Sequence, residues 1–359
     1  MEKKEKQTKI FSTNIERAIE EKTTKEEFFN ILRFVAPGTN LRAALNGIVD
    51  AKKGALILVE NEFTNDILDG GFKINCKFTP QKLIELSKMD GGIILSHDMK
   101  RIVYANVMLV PDVRIPTKET GTRHKAAERS AKMTGTLAIA ISERKNQINI
   151  YYKDLKYHLH DTAEILRRAT ETLQILEKHR ELFDINVDKL NKMEISNDLS
   201  IKQAAKVIQK GRTMQKILES QEKTFVELGN EASTLKLRVR EIMKDVEKET
   251  DLVIRDYTIL SLKKSKSIID NMSHEELFDL DKIITALAQK NNVHLDSLKG
   301  WRILSKTCLN EKEVAEVLNY LGSFKDVLNS NQSKYQKIIG EEKAKFFNKE
   351  IQTFLNAHR

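Results

Sequence analysis

All four prolines of this chain, Pro37, Pro80, Pro111 and Pro116, and nine of its fourteen glycines lie before residue 136. Glycine and proline supply the turns that reverse a chain between strands, so the first part has the punctuation of a mixed sheet and the remainder does not. The apolar pattern agrees. The run Gly54-Ala55-Leu56-Ile57-Leu58-Val59 is unbroken between charged flanks, which suits a buried central strand. Phe72, Ile74, Cys76 and Phe78 alternate with Lys73, Asn75 and Lys77, which predicts a strand covered on one face. Further strands are predicted over 92–96, 101–110, 136–142 and 147–152, and helices over 12–34, 41–49 and from Thr79-Pro80 to Lys88. The expectation is an α/β mixed-sheet N-terminal domain over residues 1–150.

Past Lys153 the period lengthens. Leu159, Leu166 and Leu173, with Ala169, Leu176 and Phe183, form a heptad-like seam, and helical patterns continue over 200–228 and 231–262. Ser200 with Gln203 predicts a capping box. Residues 151–291 therefore read as an all-α helical spine that self-associates, its histidines His158, His160 and His179 structural or exposed. Residues 292–359 read as a small tail of short helices broken at Gly300, Gly322-Ser323 and Gly340.

The formal net charge is +9, and it is unevenly spread. Residues 1–150 carry 25 basic against 19 acidic side chains, residues 151–294 carry 25 against 25, and residues 295–359 carry 11 against 8. Such a balance points to an anionic partner, but charge alone does not separate ATP from DNA. Cys76 and Cys308 are far apart and lack metal-ligand spacing, which predicts thiols in a reducing compartment. No apolar run is long enough to span a bilayer, so the expected location is the cytoplasm, with no membrane partner.

Two clusters between Met89 and Ser142 carry the chemistry. Asp90-Gly91-Gly92 offers a carboxylate at a strand mouth, followed by two residues without side chains to keep a flat base from the backbone. Gly121-Thr122-Arg123-His124-Lys125 opens a helix, with Thr122 as its expected N-cap and Arg123 and Lys125 adding full charges to the helix start. Ala126, Ala127, Ser130 and Ala131 give that helix a small-residue face able to lie close on a sheet. Alone, Asp-Gly-Gly is most often a turn before a strand, and Arg-His-Lys at a helix start is usually a solvated charge run.

The longer ordered run resolves the ambiguity. From Asp90 through Pro111-Asp112, Ile115-Pro116-Thr117 and Glu119-Thr120-Gly121-Thr122-Arg123-His124 to Ala127-Glu128-Arg129 and Ser142-Glu143-Arg144, the chain resembles the diadenylate cyclase family, in particular its DNA-integrity-scanning members. The resemblance implies condensation of two ATP molecules into cyclic di-AMP by two cyclase domains meeting face to face. It implies Asp90, Arg123 and His124 as catalytic residues, and Asp90 as the ligand of Mg²⁺ or Mn²⁺. Gly91 and Leu109 would line the adenosine pocket, and Thr122, Arg123, His124, Lys125 and Ser142 would hold the phosphates. It further implies an octamer and a role in DNA damage at the nucleoid. Two departures stand out. The family's Asp-Gly-Ala is Asp90-Gly91-Gly92 here, and its Arg-His-Arg-Thr is Arg123-His124-Lys125-Ala126. Lysine replaces a planar bidentate donor with a point charge, which implies weaker phosphate binding with activity retained.

The last unit, from Tyr335 to Lys345, resembles a helix-hairpin-helix DNA-binding motif, with Gly340 as its second glycine and Ile338 in place of the first. It implies sequence-independent DNA contact through Lys337, Gly340, Lys343 and Lys345. The alternatives to the cyclase are a non-enzymatic scaffold that senses nucleotide and binds DNA, and a nucleotidyltransferase with another product.

Overall fold

The computed structural model describes residues 22–289, 298–330 and 332–358. The predicted helix residues 12–21 lie outside them. The chain divides into two compact units, one of Met1–Ala169 with Lys223–Thr234, the other of Thr170–Glu222 with Leu235–Arg359.

In the first unit, helices α1 (Lys25–Phe34) and α2 (Asn40–Asp50) lead into β1 (Ala55–Val59), β2 (Leu68–Asp69), β3 (Phe72–Lys77), α3 (Pro80–Leu86), β4 (Gly92–Leu95) and β5 (Arg101–Leu109). Then follow α4 (Thr122–Thr134), β6 (Ala138–Ser142), β7 (Gln147–Tyr152) and β8 (Leu155–Leu159). Thr24, Thr39 and Thr79 cap the first three helices through their hydroxyls, and Pro80 occupies the first turn of α3. The strands form one mixed sheet in the order β2-β5-β4-β1-β6-β7-β8, with β3 also paired to β5. β1 runs parallel to β4 and antiparallel to β6, so Ile57 faces Ile93 on one side and Ile139 on the other.

Both faces of the central strands are buried, which is why β1 reads as continuously apolar. Ala55, Ile57 and Val59 pack with Ile93, Leu95, Ile139 and Ile141 against residues of α1, α2 and α3. Leu56 and Leu58 turn to the opposite face, where Ile94, Ala138 and Ala140 meet Ala127 and Ala131 of α4. Each large aliphatic side chain buried in these layers contributes roughly 1.5–3 kcal/mol.

The margins depart from expectation. β3 is covered only at its end: Phe72 is 54% and Ile74 37% exposed, because the strand lies beyond β5, and of the alternating set only Cys76 and Phe78, just past the strand, reach the core. Leu159 belongs to the sheet, opposite Ile148, and not to a helical seam. The stretch Leu155 to Leu159 alternates with period two, and the helix begins only at Thr162.

The rest is helical: α5 (Thr162–Ile195), α6 (Ile201–Ser220), α7 (Glu222–Glu227), α8 (Ser233–Met243), α9 (Val246–Tyr257), α10 (Leu262–Asp270), α11 (His274–Phe278) and α12 (Leu280–Ala286), then α13 (Trp301–Leu304), α14 (Glu311–Leu321), α15 (Phe324–Leu328), α16 (Gln332–Ile339) and α17 (Glu341–His358). The pattern over 231–262 breaks at Asp245, whose φ of 61° no helix accommodates. At Ser200 half of the predicted box forms: the hydroxyl accepts from the Gln203 amide, but the Gln203 side chain donates to Asn186. In the second unit one apolar cluster runs from Leu176 and Phe183 of α5 through Val253 of α9 to Val314 of α14 and Phe347 of α17, so spine and tail residues share a core.

Segment Lys223–Thr234 belongs with the sheet. The Tyr157 hydroxyl donates to Glu227 at 2.6 Å, Lys223 lies over the Tyr157 ring at 4.2 Å, and Gly229 sits so close that a Cβ would be 2.7 Å from that of Ala36.

Candidate functional site

Strand register brings the two sequence clusters to one end of the sheet. Ala55, at the start of β1, lies opposite Ile141, so Ser142 closes β6 at that end. β4 runs parallel to β1, which places Asp90 and Gly91 there as well, just before its first residue. β5 returns antiparallel with Val107 opposite Gly92, carrying Leu109 to the same end, where it packs in one cluster with Ala127 and Ala131 of α4.

Asp90 is exposed and has no hydrogen-bond or ion-pair partner among the described residues. Behind it, Gly91 has φ +84°, and a Cβ there would stand 2.8 Å from the Asn106 carbonyl carbon and 2.9 Å from the Val107 oxygen. The approach is this tight because β5 bulges: Asn106 has φ 54°, and the register shifts between Gly92 and Ile94. Gly92 differs. A Cβ on it would meet the Val107 oxygen at 3.4 Å, an ordinary contact, so the family's alanine fits here. Gly91→Ala is therefore expected to cost about 2–3 kcal/mol. Gly92→Ala is expected to be neutral or stabilising by under about 1 kcal/mol, with urea denaturation of both variants as the check.

Helix α4 starts one residue earlier than predicted. Gly121 is the N-cap and Thr122 the first helical residue, and no side chain caps the turn. The small face is buried as expected, with Ala127, Ser130 and Ala131 at 0% exposure. The opening amides thus have no side-chain acceptor, which suits an anion. Thr122 is exposed, while Arg123, His124 and Lys125 are half-buried. Arg123 reaches over the start of β1: a Cβ on Gly54 would be 2.5 Å from its Nη1, and Glu143 lies 3.9 Å away. Gly54 was not legible as a site residue, although a glycine directly before a buried strand signals close approach.

His124 stands edge-on to Tyr151, ring centroids 6.5 Å apart. Burial holds its imidazole below the usual pKa; Glu119 pulls upward, and Lys156, Lys145 and Arg123 add to the depression. The loop before α4 is pinned to it: Arg129 Nε donates to the Ile115 carbonyl at 3.0 Å, Lys132 to that of Pro116 at 2.9 Å, and Thr117 to Glu128. These contacts account for several of the quoted family positions as supports of the helix start.

In the tail, Gly340 at φ +81° joins α16 to α17, and Ile338 lies within α16 against the core. Lys343 pairs with Glu313 and Lys345 with Glu341 at 3.0 Å, while Lys337 is exposed. No helix among the described residues is long and apolar enough to cross a membrane.

Two family models match the chain: DisA bacterial checkpoint controller nucleotide-binding over residues 42–155, and DisA bacterial checkpoint controller linker region over residues 159–295. A DNA integrity scanning protein DisA from Clostridium tetani (strain Massachusetts / E88) is 38% identical over 330 residues, covering 89% of this chain and 91% of that protein. Its counterpart from Clostridium perfringens (strain SM101 / Type A) is 37% identical over 329 residues, covering 89% and 93%. The sheet unit and its nucleotide-binding match make the protein a diadenylate cyclase, a nucleotidyltransferase. Matched along nearly its whole length, the chain belongs to the DisA family.

Proposed function

We propose that the site at the end of the sheet joins two ATP molecules into cyclic di-AMP, working as half of a pair with the same site on a second copy. In each half-reaction the 3′-hydroxyl oxygen of one ATP bonds to the α-phosphorus of the other. The bond from that phosphorus to the β-bridging oxygen breaks, pyrophosphate leaves, and the hydroxyl proton passes to solvent. One copy holds one ATP, so the reaction requires two facing copies.

The observation that carries this reading is the gathering of Asp90, Gly91, Leu109, Ser142 and the uncapped start of α4 at one sheet end by strand register. The segments there also leave Met89, Met108, Val110 and Val113 exposed, at 40%, 65%, 51% and 74%, an apolar rim suited to another copy. Gly91 and Leu109 would flank the adenosine, and Thr122, Arg123, His124, Lys125 and Ser142 would bind phosphate. Catalysis would come mainly from alignment and charge stabilisation.

The donor set fits Mg²⁺ or Mn²⁺. Asp90 is an unengaged carboxylate, and among the described residues no group of three or more His, Cys, Asp or Glu could cage an ion. A single carboxylate plus substrate oxygens is a common arrangement for Mg²⁺. When bound, such an ion would lower the pKa of the 3′-hydroxyl and polarise the α-phosphate.

Incubation with ATP and Mg²⁺ or Mn²⁺ tests the reading: cyclic di-AMP is expected, and linear products or bound but unreacted ATP would sink it. Lys125→Arg, which restores the family's planar donor, is expected to tighten ATP by about fivefold in a binding titration.

DNA binding by the helical region, and assembly to an octamer, belong to the same proposal. Support for the DNA binding comes from the basic tail and from what the relatives are called. Of Lys337, Lys343 and Lys345, Lys337 is the one open to a phosphate, since the other two already face carboxylates. Binding should be sequence-independent and should weaken steeply with salt.

A further inference from the structure

Behind His124 lies a set of contacts that nucleotide binding, as read above, does not use. Glu119 sits two residues before Gly121, its side chain 14% exposed. Its carboxylate accepts a hydrogen bond from the Tyr151 hydroxyl at 2.8 Å and pairs with Lys156 of β8. Tyr151 is fully buried, and its ring stands at 80° to the His124 imidazole. On the other side lies the backbone of Gly121, where a Cβ would meet His124 Nδ1 at 3.6 Å, an ordinary contact. The imidazole thus lies between the Gly121 backbone and a buried ring whose hydroxyl end is anchored to Glu119.

We propose that Glu119, acting through Tyr151 and Lys156, is a positioning residue that holds the His124 imidazole for contact with the bound triphosphate. The inference rests on the reading of His124 as a phosphate ligand and adds the group that governs it. The charges around His124 come from three elements besides its own neighbour Arg123: Lys156 on β8, Lys145 in the turn after β6, and Glu119 in the loop before α4. Glu119 is the anion among them. Its carboxylate offsets Lys156, so the imidazole sits beside a balanced pair rather than beside a bare cation.

Removing either member should move His124 in opposite directions, which a merely structural contact would not do. The test uses the full chain without nucleotide, following the C2-hydrogen exchange of His124 by mass spectrometry across pH. Glu119→Gln keeps an acceptor for Tyr151 but leaves Lys156 unopposed, and is expected to lower the His124 midpoint by about half to one pH unit. Lys156→Met is expected to raise it by a similar amount, and the double variant to return it close to the starting value. Tyr151→Phe removes the tether and is expected to raise KM for ATP about threefold to tenfold while the midpoint stays within a few tenths of a unit.

A His124 midpoint unmoved in both Glu119→Gln and Lys156→Met overturns the proposal, whatever happens to turnover. If the midpoints move as expected but His124→Gln binds ATP as tightly as the parent, the phosphate role of His124 fails, and the proposal fails with it for that separate reason.

Discussion

Asp90→Asn is expected to cut cyclic di-AMP formation by on the order of a thousandfold while leaving the fold intact. The side chain is exposed and bonded to none of the described residues, so replacing an oxygen by an amide disturbs no packing, and the change in stability should stay within about 0.5 kcal/mol. What the variant loses is the full negative charge beside the nucleotide. Binding of ATP should survive in part, because the cationic start of α4 is a separate element of the site. Chromatographic product analysis beside a thermal melt checks both halves, and a fully active variant removes Asp90 from the mechanism.

The second large effect is expected in the helical unit. Arg302 is wholly buried, with Nη1 donating to Asn191 at 2.6 Å and to Glu249 at 2.8 Å, and Nη2 to Glu194, which is itself buried. Arg302→Ala strands Glu194 without a counter-charge and should cost about 3–5 kcal/mol. Arg302→Met, which refills the volume but not the charge, should recover little of it. Differential scanning calorimetry reads the loss as an earlier transition of that unit.

A pH dependence follows from the same place. Asp256 accepts the amide hydrogens of Trp301 and Arg302 at 2.8 and 2.9 Å. Burial, with the charge of Glu194, still pushes its carboxyl up to about 7, against those bonds and Arg302. Between the ordinary carboxylate value near 4 and that raised value, the folded state holds the proton more tightly than the unfolded state. This contribution to stability is therefore full below about pH 4, falls as pH rises towards 7, and is flat above. Urea melts at pH 5 and pH 8 should show the difference, and Asp256→Asn should remove it.

Much of this was legible in the sequence because the signals were local. The all-apolar run of β1, the Thr79-Pro80 start of α3 and the small face of α4 each follow from a few adjacent residues, whereas Thr24, inside a stretch read as one helix, caps α1 instead. What was not legible depends on distant chain. The bulge that brings Asn106 against Gly91 is set by the register of β4 on β5, and nothing in the residues around Asn106 announces it. Thr122 passes for a cap until the backbone at Gly121 is seen to be the extended residue. Leu159 fits a seven-residue spacing by coincidence, its partner being Ile148 in the sheet. The tie of Glu119 to Tyr151 crosses 32 positions, and only the fold brings them together.

The return of Lys223–Thr234 to the sheet means that the catalytic part of this molecule is discontinuous in the gene product. A fragment cut after the last strand would strip Glu227 from the Tyr157 hydroxyl and Gly229 from Ala36, leaving a polar hole and an uncovered apolar edge. Segment Lys223–Thr234 is thus part of the body of the sheet unit, and its loss would be felt first by β8, the strand that also carries Lys156.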